Sequence, residues 1–212
     1  AGHAVACIFA EGVYPELLKS RSIDPDKQGF IYVKRDKKYW SYQDKLNTVC
    51  TILAGREAER LVFGAANLTT GAEGDLAKAT SLVSSMLRKS GMGRRVGSFV
   101  LPGEIMFPHL RGATDELEGE VQITLENASN RAREILEKEF PLFIKIAGCL
   151  ADQSSLTKTE LQELVREFSS ESPVMDQGYA YRKKLMDQLS TIPGKSQKKP
   201  YFNQSVILNK NS

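Results

Sequence analysis

The sequence predicts a mainly α fold with a small β-sheet, an α+β domain. Three observations carry that expectation. Apolar residues recur at helical spacing through 41–63 and again through 70–91. Helix-start chemistry, a Ser or Thr with an acidic residue three positions later, occurs at Ser41, Thr70 and Thr157. One short run, Gly29 to Lys34 (GFIYVK), combines aromatic and β-branched residues between charged turns and reads as a strand.

Taken in order, the first ten residues, AGHAVACIFA, are small and apolar with a helical flavour, and Gly12 and Pro15 break the run. After the strand, Ser41 caps a helix with Asp44 in the box position. Tyr42, Leu46, Val49, Cys50, Leu53, Ala54, Ala58, Leu61 and Val62 share a face, and Gly64 ends it. Thr70, with Glu73, opens the next helix; Leu76, Ala79, Leu82, Val83, Met86 and Leu87 line its inner side, and Gly91 closes it. The stretch 94–113 holds glycines and prolines and reads as irregular loop or short strand. A long helix follows over about Asp115 to Lys138, a break at Pro141, a further helix to about Leu150, and a short one that Thr157 and Glu160 cap, with Leu161, Leu164 and Val165 inward. Beyond Phe168 the periodicity fades; the prolines and the KSQKK run suggest an extension, with a turn or two of helix over Tyr179 to Leu189. The domain expectation is therefore 1–168 for a folded domain and 169–212 for a basic, largely flexible extension.

Charge and cysteines narrow the function classes. The net charge is +3, and residues 169–212 carry seven Lys/Arg against three Asp/Glu, so the folded part is near neutral. That argues against nucleic acid as a partner, because such binding needs a basic face on the domain itself. The three cysteines, Cys7, Cys50 and Cys149, lie far apart without a CxxC, as expected of buried thiols in a reducing compartment. No apolar run is long enough to cross a membrane and there is no signal peptide, so any tether is expected outside these residues.

A lone histidine in an apolar helix is ordinarily a packed core residue; His3 reads differently because of its company. Ala1-Gly2-His3 matches the last three positions of the HEAGH form of HExxH, in which two histidines one helical turn apart hold Zn²⁺ and the intervening Glu is the general base. That Glu, the catalytic residue, is expected immediately before Ala1, with the first histidine three residues further back. Downstream, LAGREAERLVFG at 53–64, NLTTGAEGDLAKAT at 67–80 and GMGRRVG at 91–97 resemble, in order and spacing, the GGRAAEE-LVFG, TTGAxxDLxxAT and GMS-xxLG blocks of the FtsH peptidase family, the M41 metallopeptidases. LEGEV at 117–121 and LTKTEL at 156–161 are similar to the family's closing helices.

This resemblance implies an FtsH-like helical metallopeptidase domain and assigns roles position by position. His3 would be the second zinc histidine and Asp75 the third zinc ligand, leaving one coordination position for water. Glu59 would orient a ligand histidine without touching the metal, and Arg56 would be structural. The strand residues Gly29, Phe30, Ile31 and Tyr32 would form the edge that binds substrate backbone by strand addition. Zn²⁺ is the implied cofactor, with ATP and Mg²⁺ in an AAA+ domain elsewhere in the parent. The implied partners are unfolded polypeptide substrates, FtsH-like subunits in a homo- or hetero-hexamer, and a membrane reached through other segments. The implied location is a bacterial inner membrane, a plastid or mitochondrial inner membrane, or the thylakoid.

The sequence departs from the pattern at Arg60, where the family carries a second Glu, at Gly93, where GMS becomes GMG, and between Gly97 and Leu117, where the connection is short and lacks an FLGR-like segment. Two readings therefore stay open. One is the peptidase domain of an ATP-dependent, membrane-tethered zinc metalloprotease that degrades unfolded or membrane proteins. The other is a proteolytically inactive FtsH-like subunit serving as scaffold or motor component, as in plastid homologues. A His-Glu pair before Ala1 would mark the first.

Overall fold

The structure, a computed structural model, describes residues 1–20, 29–35, 37, 39–94, 97 and 111–174, with backbone only over 111–115. It is mostly helical with one three-stranded sheet. The chain divides into Ala1–Asp176 and Gln177–Ser212. The second unit, and with it the helical turn expected at Tyr179 to Leu189, lies outside the described residues, as does most of the remodelled connection after Gly97.

Helix α1 (Gly2–Ala6) runs into a π-helical turn, Cys7–Glu11. Its small apolar residues allow deep insertion: Ala4 to Ile8 are fully buried. Gly12 ends the turn at φ 68°, a left-handed conformation that glycine adopts without strain. Strands β1 (Leu17–Lys19) and β2 (Phe30–Tyr32) follow; β3 (Ser155–Thr157) joins far later in sequence. The antiparallel order is β2-β1-β3, with Leu18 opposite both Ile31 and Leu156. That register puts Leu18 and Leu156 into the core as a single row. The predicted strand is thus real but shorter, with Gly29 just ahead of it. β1 and β3, each three residues long, carried no strand pattern of their own.

Helix α2 (Tyr42–Phe63) is the centre of the fold, packing against α1 and against two later helices, α3 (Glu73–Lys89) and α4 (Arg111–Lys138). Its start is the expected box: Ser41 Oγ accepts from Asp44 N, and the Asp44 carboxylate accepts from Ser41 N. Two cores lie about it. One gathers α1, Cys50, Ala54 and Ala58 with Ala132, Leu136, Leu142, Ile146, Leu156 and Leu161. The other joins Val49 and Leu53 to Val83, Leu87, Leu117 and Val121. Gly2 permits a close approach of α1 to α2: a Cβ there would meet the Ala54 carbonyl oxygen at 2.6 Å and Ala58 Cβ at 2.7 Å.

Three boundaries differ from the sequence expectation. Thr69, not Thr70, supplies the cap before α3, accepting from Gly71 N at 3.2 Å into a 3-10 turn, Thr70–Ala72. Two adjacent threonines offer equal caps, and only the path of the preceding loop selects one. Helix α4 already begins at Arg111, so the end of the expected loop is helical. Helix α5 (Phe140–Gln153) extends past Leu150 to a left-handed Ser154, and accepts Pro141 in its first turn, where no N–H is needed. Helix α6 (Lys158–Phe168) has the expected Thr157–Glu160 capping box. Past Phe168 the chain folds back: buried Glu139 accepts from Ser170 N and Oγ, and Lys138 pairs with Glu171.

Candidate metal centre

His3 and Asp75, 72 positions apart in sequence, face each other across α1 and α3. His3 Nε2 stands 3.2 Å from Asp75 Oδ2, and each side chain keeps about 30% of its surface accessible, 31% and 29%. The pair is therefore a partly open site rather than a core contact. Helix α1 presents His3 because the residues behind it, Ala4 to Ile8, are drawn into the core. Helix α3 presents Asp75 in its first turn, where the positive end of the helix dipole favours a carboxylate.

The imidazole is held from its other side. Nδ1 lies 2.8 Å from the Thr51 carbonyl oxygen on α2. A carbonyl only accepts, so Nδ1 carries the proton and donates it. In the neutral ring Nε2 then offers a lone pair toward a carboxylate oxygen that also offers one. Something positive belongs between them, either a second ring proton or a cation. The hydrogen bond from His3, reinforced by Lys78 Nζ at 3.2 Å from the other oxygen, outweighs partial burial and holds the Asp75 carboxyl below the usual carboxylate range.

Glu59 stands on α2 and faces the loop before α3. Its carboxylate accepts from Thr69 N at 3.3 Å and Thr69 Oγ1 at 3.1 Å, and among the described residues no hydrogen bond joins it to His3. It braces the turn that opens α3. Arg56 pairs with the neighbouring Glu57 at 3.0 Å. Glu57 is fully buried, and also accepts from Ser129 Oγ at 2.6 Å and Arg133 Nη2 at 2.9 Å, tying α2 to α4. Reading the sequence found neither Glu57 nor the Thr51 carbonyl. The first looks like any helix glutamate, and the second is a backbone atom that no side-chain motif encodes.

Of the predicted edge residues, Phe30, Ile31 and Tyr32 form β2, with Gly29 just ahead of it, and the outer side of β2 has no neighbouring strand among the described residues. Phe30 and Tyr32 are exposed on it. Just beyond, Arg35 grips Glu11 through Nε at 2.7 Å and Nη2 at 2.8 Å, a two-pronged ion pair joining the strand's exit to the turn that continues α1.

Residues 1–164 match the profile of peptidase family M41. The chain belongs to that family. It is 33% identical over 183 residues to the mouse mitochondrial inner membrane m-AAA protease component AFG3L1, covering 81% of this chain and 23% of that protein. It is 31% identical over 145 residues to the ATP-dependent zinc metalloprotease FtsH of Caldicellulosiruptor bescii, covering 63% and 23%. A rice relative, ATP-dependent zinc metalloprotease FTSH 9, chloroplastic/mitochondrial, is 27% identical over 175 residues, covering 81% and 22%. The chain thus spans about a quarter of the length of these curated relatives.

For this M41 domain the residues present fit a zinc ion. Two ligands about 2.0–2.1 Å from one zinc at a tetrahedral angle stand about 3.3 Å apart, close to the 3.2 Å observed between Nε2 and Oδ2. A ligand histidine characteristically donates its remaining ring proton to a backbone carbonyl, which fixes tautomer and orientation; the Thr51 carbonyl does this. Among the described residues no third His, Cys, Asp or Glu joins the pair. None of the helices of the described residues is long and apolar enough to cross a membrane.

Proposed function

We propose that this M41 domain is the peptidase module of an ATP-dependent, membrane-tethered zinc metalloprotease that degrades unfolded or membrane proteins. The observation that carries the reading is the convergence of His3 Nε2 and Asp75 Oδ2 with the opposite ring nitrogen fixed by Thr51. When bound, zinc would supply a Lewis acid for the scissile carbonyl and an acidified water. His3 contributes a neutral nitrogen held in one tautomer by Thr51, and Asp75 a carboxylate oxygen. A His-Glu pair preceding Ala1 would complete the donor set through its histidine, and its glutamate would serve as base toward the water. The open side of β2, with Gly29, Phe30, Ile31 and Tyr32, takes substrate as an added strand; main-chain pairing there tolerates many sequences. By analogy with the mouse relative's printed name, a mitochondrial inner membrane m-AAA protease component, the parent resides at a membrane and works as one component of a multi-subunit assembly.

The test is zinc content and ATP-dependent casein cleavage in the full-length parent, with His3→Gln and Asp75→Asn variants. Stoichiometric zinc in the parent, and zinc affinity weakened at least about 10-fold in both variants, with loss of cleavage, is the expected result. A parent that assembles yet holds no zinc, or holds it unchanged in both variants, overturns the proposal and leaves the scaffold-subunit reading.

A further inference from the structure

Gly55 sits in the interior of α2, where glycine is less favourable than alanine by roughly 1 kcal/mol. It is not at a turn, and its φ is not positive. Backbone geometry therefore does not call for it. What occupies the space of its missing side chain does. A Cβ built at Gly55 would meet His3 Nε2 at 2.5 Å, Cε1 at 2.6 Å and Cδ2 at 3.4 Å. All three nearest atoms belong to one imidazole.

We propose that Gly55 is a positioning residue for the metal centre: with the Thr51 carbonyl one helical turn earlier, it forms a seat on α2 that holds the His3 ring with Nε2 toward Asp75. The inference rests on the zinc reading of the pair and adds a requirement to it. Thr51 fixes the Nδ1 edge through a 2.8 Å hydrogen bond, and the bare Cα of Gly55 lets the Nε2 edge lie flat against the helix. Neither feature alone suffices, because a ring anchored only at Nδ1 can swivel about that bond.

Gly2, on the adjacent position of α1, makes the contrast. There the obstruction is the Ala54 carbonyl and the Ala58 Cβ, which belong to the helix and cannot retreat alone. At Gly55 the obstruction is the end of a side chain that can rotate away. Gly55→Ala therefore leaves the fold standing and displaces the ring. The larger penalty falls on metal affinity, and a smaller one offsets the stability that Gly→Ala would otherwise add.

The experiment combines Gly55→Ala with His3→Ala in the full-length parent, reading zinc affinity by chelator competition and unfolding midpoint in chelator-treated protein. Gly55→Ala alone is expected to weaken zinc binding by roughly 10–100-fold, the range for residues that orient a ligand, while the protein still folds. In the His3→Ala background the same substitution is expected to raise the unfolding midpoint, as Gly→Ala does in an unobstructed helix interior. In the presence of His3 that gain is diminished or reversed. Equal stabilisation in both backgrounds with undiminished zinc affinity overturns the proposal. If Gly55→Ala fails to fold alone, folding of the double variant supports it, and failure of both overturns it. Absence of zinc from the parent would defeat the metalloprotease reading, yet the stability comparison would still report whether position 55 seats the His3 ring.

Discussion

Glu57 gives the sharpest stability test, because its environment is closed and every partner is named. Its side chain is fully buried. Oε1 accepts from Ser129 Oγ at 2.6 Å and Arg56 Nη1 at 3.0 Å; Oε2 accepts from Arg133 Nε at 3.0 Å and Nη2 at 2.9 Å. Removing one partner of a buried ion pair costs about 3–5 kcal/mol when the other is left buried and unpaired. Here both arginines keep 31% of their side-chain surface in contact with solvent and can rehydrate, so we expect about 2–4 kcal/mol for Glu57→Gln. Ser129→Ala removes one hydrogen bond to a charged acceptor, about 1.5–3 kcal/mol. Burial pushes the Glu57 carboxyl up, but the Ser129 hydrogen bond and the Arg133 and Arg56 charges outweigh it, and its pKa lies below the ordinary 4.5. A depressed folded-state pKa stabilises above the unfolded value and is lost as pH falls through the folded one. Wild type should therefore lose stability on acidification below about pH 4.5, and Glu57→Gln should lose less over the same window. Urea unfolding at pH 7 and at successively lower pH reads both effects. A Glu57→Gln protein with the wild-type midpoint at pH 7 and the wild-type acid slope would refute the reasoning.

Other consequences follow from packing and capping. Gly2→Ala drives a Cβ into the Ala54 carbonyl and Ala58 Cβ, and should destabilise by about 1–3 kcal/mol or more, as overpacking does; denaturant unfolding checks it, and a neutral result would mean α1 sits further from α2. Thr157→Ala removes the acceptor for Glu160 N and should cost about 1 kcal/mol, visible as a lower midpoint with an unchanged denaturant slope.

Much of this domain was legible in its residues, and some was not. Helices α2 and α6 announced themselves through Ser41–Asp44 and Thr157–Glu160, because a capping box uses only residues three apart. At α3 the same grammar misled by one residue, since Thr69 and Thr70 are chemically equivalent and the loop chooses. Strands β1 and β3 gave no signal. Each is three residues long, and Leu18 and Leu156 become strand residues only because the chain returns after about 140 residues to pair them.

The site divides in the same way. Local chemistry was written in the sequence: an imidazole in an apolar helix, a carboxylate in the first turn of a capped helix, and motif blocks that resemble one family. What the residues alone could not supply was how His3 is held. That depends on the Thr51 carbonyl and on the missing side chain of Gly55, a backbone atom and an absence. Sequence specifies side chains and their local periods; the angle at which α1 and α3 meet α2 is set by long-range packing, and that angle determines which groups come within reach of one another.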